Sequence, residues 1–491
     1  MTDSNRVRVS GIRETAFGTL PATPRMRTGR MTGEGLAFTP SFISSNEIRS
    51  DRMNADPIKI NEENVGPFNF ELAFIPDEEL SSEMIRSAFF NPWTVTPYRD
   101  NDLVADSVIT DVATTGTIVT CTAVAPQNGS FVVGALVRFT GFTVAGNNGK
   151  FRCTTASATV PAFVASGITN ETAPPAQARM KVVGFQGVSG DITAAASSLT
   201  STALDFTTLG LSPGMWLKVG DADNAVFQFG TAANNGWVRI SGTITATSIP
   251  LDNLPSGWGV DAGGAKTIRV FFGDWIKNGV TRASMSLEKS FLGQGTPTHM
   301  LQKGMVVDRF SLDYSTEQII TGSFEFRGLT GTQGTVANGN SYDAAPTERV
   351  MSANVSVGQI SESGAAVLTP NFVRSLQLQV ANNLRSITAV GNVGSVDIGV
   401  GECQATGTLE AYFGSNAFLT KLLAGTISNI SCRSQIDNQA VILSLPRVTF
   451  TGGSPVAGGK NQDVLIPLTF QASIDSVTNS QVNLNRLEYY N

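Results

Sequence analysis

Very few residues in this chain could carry acid–base, metal or nucleophilic chemistry. Of 491 residues one is histidine, His299, and imidazole is the side chain that ordinarily titrates near neutral pH. The four cysteines, Cys121, Cys153, Cys403 and Cys432, stand far apart and form no Cys-x-x-Cys. Neither a zinc ribbon nor a redox pair is written here, and buried reduced thiols are expected. No phosphate loop, dinucleotide fingerprint or nucleophile elbow occurs, and no pair of carboxylates stands out as a glycosidase pair would. Catalytic residues, a metal and a cofactor are therefore not expected, and an enzyme ranks behind an assembling or a surface-binding protein.

Charge points the same way. Lys and Arg number 34 and Asp and Glu 40, so charged residues make up 15% of the chain where an ordinary soluble domain carries roughly 25%. Much of the surface is then Ser, Thr, Asn, Gly or protein partner. A net charge of -6 argues against gripping nucleic acid through its phosphates. No stretch approaches the ~20 apolar residues of a membrane span, and Met1 to Ser10 has no apolar core of a secretory signal. Arginine outnumbers lysine 24 to 10, and a planar guanidinium suits interfaces. Arg6, Arg8 and Arg13, with Arg25, Arg27 and Arg30 behind them, suggest an N-terminal arm that docks on a neighbour.

The elements that would position such contacts repeat. Residues 66 to 74 alternate, with Phe68, Phe70, Leu72 and Phe74 on one face and Asn69 and Glu71 on the other, as a half-buried strand does. Pro76-Asp-Glu-Glu79 then opens a helix carrying Leu80, Met84, Ile85, Ala88 and Phe89. Residues 406 to 413 repeat the strand with Leu409, Ala411 and Phe413 against Glu410, and a second helix follows between Ser415 and Gly425. Further on, Val307-Asp-Arg-Phe-Ser-Leu312 answers Leu445-Pro-Arg-Val-Thr-Phe450, and Ile320 to Phe326 answers Leu465 to Phe470. Two related units are expected.

A stretch without helical signal interrupts the first unit and carries its own repeat. Gly134 to Phe139 answers Gly214 to Val219, and Asn147-Asn-Gly-Lys-Phe-Arg152 answers Asn234-Asn-Gly-Trp-Val-Arg239. Asn-Gly between alternating residues predicts tight hairpins. The expected boundaries are 1–104 with 274–330 for the first unit, 105–186 and 187–273 for two small all-β, immunoglobulin-like modules, 331–370 for a linker, and 371–491 for the second unit. Trp216, Trp237 and Trp258 read as small-barrel core, with a sugar-binding platform as the alternative.

Taken together, the Arg-rich opening with Gly33-Glu-Gly-Leu-Ala-Phe38, the loop through Arg49-Ser-Asp-Arg52, the strand and helix at 66–90, and the ending at 445–470 resemble the major tail tube proteins of phages with long, non-contractile tails. The resemblance covers the two outer parts and not the insert. It implies a mainly β fold: two sandwich or half-barrel domains, each flanked by a short helix, plus the two inserted modules, with strands joining those of neighbours into an inner barrel. It further implies a virion-tail protein, assembled in the host cytoplasm, that stacks as rings and conducts the genome. Its partners would be itself, tape-measure and tail terminator or tip proteins, and double-stranded DNA in non-specific transit, with no membrane. Two domains per chain would make the ring a trimer with pseudo-sixfold symmetry, a hexamer being the alternative.

A conduit for a polyanion must not bind it. Glu71, Glu325 and Glu410, with Asp397 and Glu402, are the residues expected to face the lumen. Arg49, Asp51, Arg52, Glu62 and Glu63 are those expected to join ring to ring, with Ala389 to Gly401 as the counterpart in the second unit. The modules are expected to project outward and to be dispensable for assembly. The competing reading is an adhesin-type β-protein of a virion.

Overall fold

Alternation of Phe and Leu with Thr, Ser, Gln and Glu builds the central feature, one sheet of eight strands with an apolar and a polar face. The computed structural model describes residues 3–489 apart from 78, 103–107, 113–118, 122–128, 158, 165–167, 223 and 368–369. The expected module start at 105, Glu78 of the helix start and the Cys121 side chain lie outside the described residues. The eight strands are β1 (Ala37–Ile43), β2 (Ile58–Glu71), β3 (Thr298–Ser315), β4 (Thr321–Gly328), β5 (Val373–Ala381), β6 (Gln404–Tyr412), β7 (Gln439–Gly452) and β8 (Leu465–Ala472). Their order is β1-β2-β4-β3 followed by β5-β6-β8-β7. All neighbours are antiparallel, and the two runs of four join where Arg309 to Ser315 of β3 pair with Ser375 to Ala381 of β5.

The two runs have the same register. Phe68, Phe324 and Phe310 stand opposite one another in the first, as Gly407, Phe470 and Phe450 do in the second. Glu71 and Glu410 fall at corresponding positions by this ladder. Phe324 and Phe310 answer Phe470 and Phe450, two residues from the sequence pairing at Phe326 and Leu312. A two-residue slip keeps every side chain on its face, so the pattern alone did not reveal it.

The long strands β3 and β7 bend through bulges and enter a second layer. There β3 meets Met285–Phe291, which meets Val7–Arg13, while β7 meets Ile427–Ile436, which meets Val357–Glu362. The expected linker thus holds an outer-layer strand, and 330–334 and 341–343 are strands too. Their Thr, Gly and Gln residues are too polar to show alternation. Between the layers lies one core, to which α1 (Leu80–Phe89) contributes Leu80, Met84, Ile85, Ala88 and Phe89 and α2 (Ala417–Ala424) contributes Phe418. Left-handed Gly425 ends α2 by donating to Leu422 and Lys421 carbonyls. No helix of the described residues is long and apolar enough to cross a membrane.

Most inserted strands form one shared sheet, because Arg179–Gln186 of the first module pairs with Arg269–Phe271 of the second, and Tyr98–Asp100 joins it ahead of the expected boundary, while Ile109–Val112, Val119–Cys121 and Glu171–Thr172 make a separate small sheet. The Asn-Asn-Gly segments make longer capped loops where tight hairpins were expected. Asn148 holds the Phe142 backbone N–H and carbonyl at 3.0 and 2.8 Å, and Asn235 holds those of Phe229 at 2.8 and 2.9 Å. Both asparagines keep negative φ, which excludes the type I′ geometry.

The insert does not merely project. Leu136, Val183, Trp216, Trp237 and Phe271 of its sheet form a buried seam with Ala440, Ile442, Leu487 and Tyr489 of the second unit. Trp216 Nε1 donates to Ser444 Oγ at 2.8 Å, and Trp237 meets Tyr489 edge to face. Two of the three tryptophans are therefore interface residues. Trp258 packs on the module core and donates to the Ala195 carbonyl.

Candidate functional site

The polar face of the eight-stranded sheet is the broadest feature that the fold constructs from both halves of the chain. Strand alternation places Phe68, Phe310, Phe324, Leu376, Leu378, Leu409, Leu468 and Phe470 inward and leaves hydroxyls and amides outward. One row runs Asn69, Ser323, Ser311, Gln379, Thr406, Gln471, Thr449, each opposite the next. The row beside it runs Glu71, Thr321, Asp313, Gln377, Thr408, Thr469. All of them except Glu71 and Thr449 line an open trough of about 730 Å³. Gln377 Nε2 donates to Asp313 at 3.0 Å, and Thr451 and Thr469 hydroxyls lie 3.2 Å apart.

Glu71, Glu325 and Glu410 share this face, each in a different row, as their positions in the alternation require. The face is less acidic than expected, because arginines accompany its acids. Arg309 lies 3.2 Å from Glu325 and Arg374 lies 3.7 Å from Glu410. Such exposed pairs add little stability, but they leave a wall of hydroxyls and amides with offsetting charge. Asp397 and Glu402 are elsewhere. Asp397 sits on the separate hairpin Arg385–Thr388/Ser395–Gly399, where a 2.8 Å hydrogen bond from Arg282 holds its carboxyl below the usual range. Glu402 is exposed on the following loop, its carbonyl accepting from Asn383.

The five residues expected at ring contacts lie on the β1–β2 hairpin, which projects beyond the sheet. Arg49 pairs with Asp51 at 2.5 Å and Glu47 at 3.3 Å, Glu62 with Lys59 at 2.6 Å, and Glu63 with Arg327 at 3.2 Å. Arg52 adopts left-handed φ in the turn. Charge drew attention to this hairpin, but its unpaired resource is apolar: Phe42, Ile43, Ile48, Met53, Ile58 and Ile60 are all more than half exposed. At the opposite end of the strands, Phe372, Tyr412, Val456 and Val464 are exposed as well. Sequence reasoning missed both sets, since isolated apolar residues among polar ones carry no periodic signal.

The N-terminal arginines are largely engaged within the chain. Arg8 stacks on Tyr342 with its guanidinium 3.6 Å from the ring centre and lies 3.6 Å from Glu288, while Arg13 lies 3.5 Å from Glu83. Arg6 ends a one-turn helix before the strand Val7–Arg13. The expected arm is thus mostly an outer-layer strand.

His299 belongs to a buried cluster. Its Nδ1 is 2.9 Å from Ser290 Oγ and 3.5 Å from Glu288, whose other contacts include Tyr342 OH at 2.6 Å. A nucleophilic triad needs serine and acid on different ring nitrogens; here both approach the same one. Among the described residues no group of three or more His, Cys, Asp or Glu is placed to hold a metal ion.

The family model for phage tail tube proteins matches residues 4–248 and again residues 175–472. No curated protein matches the chain. With its matches spanning both halves, the chain belongs to the phage tail tube protein family and is a structural component of the phage tail.

Proposed function

We propose that copies of this chain close into rings and stack into the tube of a long, non-contractile tail, with the polar sheet face lining the bore through which double-stranded DNA is ejected. The observation that carries this is the strand order and register repeated across one continuous sheet. Two equivalent four-stranded units per chain favour a trimeric ring with pseudo-sixfold symmetry. Closure also removes the open sheet edges, which otherwise invite aggregation. Assembly in the host cytoplasm, on a tape-measure protein and between terminator and tip proteins, completes the reading.

The wall suits transit of a polyanion. Phosphate affinity comes from cations that displace condensed counterions, and hydroxyls, amides and arginines beside acids provide little of that. Stacking is head to tail, the β1–β2 hairpin of one ring reaching the apolar rim of the next, and a heterologous contact of this kind propagates without limit. Negative-stain microscopy should show rings or tubes with a bore wide enough for duplex DNA, and mass measurement should give three chains per ring. Monodisperse single chains at high concentration would overturn the reading. Glu71→Lys with Glu410→Lys should still assemble yet lower infectivity by tenfold or more; unchanged infectivity would remove these residues from the bore.

A further inference from the structure

The seam inside the chain shows how two chains meet, and a side-chain pair occupies the place where that meeting would occur. At the seam, Phe310 stands opposite Val380, and Leu312 opposite Leu378. Corresponding positions follow from the ladders: Glu34 faces Phe68 and Ala37 faces Val65, as Leu378 faces Gly407 and Ala381 faces Gln404. Leu36 therefore corresponds to Val380, and Glu34 to Leu378. On the other side, Phe450 corresponds to Phe310. The second unit ends with β7 unjoined from Phe450 to Gly452 on the side away from β8, because the neighbouring strand there stops with Ile427 opposite Thr449.

The edge at Leu36 lacks a strand but its peptide groups are not bare. Gly35 N–H donates to the Pro67 carbonyl in β2, so the Leu36 peptide groups turn the other way. Leu36 N–H donates to Glu34 Oε2 at 2.9 Å, and the Leu36 carbonyl accepts from Lys289 Nζ at 2.7 Å. Lys289 and Glu34 are themselves 3.1 Å apart. One ion pair thus supplies both the acceptor and the donor that a neighbouring strand would supply. By the ladders, with the bulge between Val307 and Arg309 counted, Lys289 faces Met300 as Ser434 faces Val441. The second unit has Leu378 and Ser434 at these places, which cannot make the pair, and there the edge is joined by β3.

We infer that the Lys289–Glu34 pair caps the sheet edge that a second copy of this chain must occupy, and that on assembly Phe450 to Gly452 of one copy displace it and pair with Glu34 to Leu36 of the next. Charged groups at an exposed edge guard against premature pairing. The cap keeps the free chain soluble and makes joining a substitution of one set of hydrogen bonds for another. This rests on the tube reading, since it takes closure of the ring as given.

The bulge sets Thr451 and Gly452 together opposite Thr469, the place that Ser311 holds opposite Ser323, so the register brings Thr451 beside Gly35 of the next copy, on the polar face where its hydroxyl meets that of Thr469. The full chain carrying Gly35→Cys and Thr451→Cys, oxidised after assembly, should yield covalent dimers and closed trimers on non-reducing gels, and either single variant should not. Rings or tubes without this cross-link overturn the pairing while leaving the tube reading intact; no rings or tubes at any concentration overturns both. For the cap, Lys289→Met combined with Glu34→Gln should lower the concentration at which polymer forms by threefold or more. Glu34→Gln alone, which keeps the Leu36 N–H partnered, should give a smaller shift in the same direction. An unchanged or raised threshold in chains that melt as wild type does would overturn the cap.

Discussion

At the residue scale, buried charge and buried thiol make the sharpest statements. Arg486 donates to Asp274 at 2.9 Å and to Asp77, the Ile75 and Pro76 carbonyls and Ser82 Oγ, and stacks over Trp93. Burial would raise the Asp77 carboxyl, but Arg486, Lys181 and Arg179 hold it well below its usual range. Arg486→Met should cost about 3–5 kcal/mol in denaturant unfolding, because it removes the buried cation that bridges Asp77 and Asp274 and leaves the two carboxylates to share Lys181 and Arg179. Burial also lowers the Lys218 ammonium, to about 8 from 10.5. The unfolded chain then binds the extra proton between those values, so this group makes stability rise with pH across that window. The gain is about 2–3 kcal/mol, and comparing melts of wild type and Lys218→Met at pH 7 and pH 10 measures it; parallel pH profiles would contradict it. Burial pushes Cys153 and Cys403 up to about 11 and Cys432 to about 12. Since the thiolate is the reactive form, these three should resist alkylation at pH 8 until the protein is unfolded.

At the scale of elements, the sequence yields what has a period. The Phe and Leu alternation at 66–74 and 406–413 gives β2 and β6 with correct faces, so Glu71 and Glu410 are legible as partners. Asp397 is not, because its place is set by Arg282, 115 positions away. The strands at 330–334 and 357–362 are illegible for want of apolar alternation, their partners being supplied by the rest of the sheet. The Asn-Asn-Gly repeats are visible, but the loops they close depend on backbone groups of Phe142 and Phe229 that no local rule names. These amide clasps carry a prediction of their own. Asn148→Ala and Asn235→Ala should each destabilise the insert by about 1–3 kcal/mol, since each leaves a backbone donor and acceptor unpaired. Hydrogen exchange at Phe142 and Phe229 reads the effect locally, and unchanged protection would show that the side chains are not what closes the loops.

At the scale of the molecule, the insert and the second unit are built onto one another. A module that only decorates a wall could be removed without disturbing it, but here removal of residues 105–270 takes Leu136, Val183, Trp216 and Trp237 away from Ala440, Ile442, Leu487 and Tyr489. It also removes Arg179 and Lys181 from Asp77 and Asp274, leaving Arg486 to face two carboxylates. Burying an aromatic side chain and losing it costs about 3–5 kcal/mol, so the seam and the ion cluster together account for much of the ~5–15 kcal/mol by which a domain is stable. The truncated chain should therefore be insoluble or melt well below wild type, and Trp216→Ala with Trp237→Ala in the full chain should reproduce part of the loss. A soluble truncation whose remaining units melt as before and assemble would show the seam to be incidental. If the truncation fails and polar replacements at Ile442 and Leu487 restore its solubility but not rings of three, the insert is holding the two units at the angle that ring closure needs.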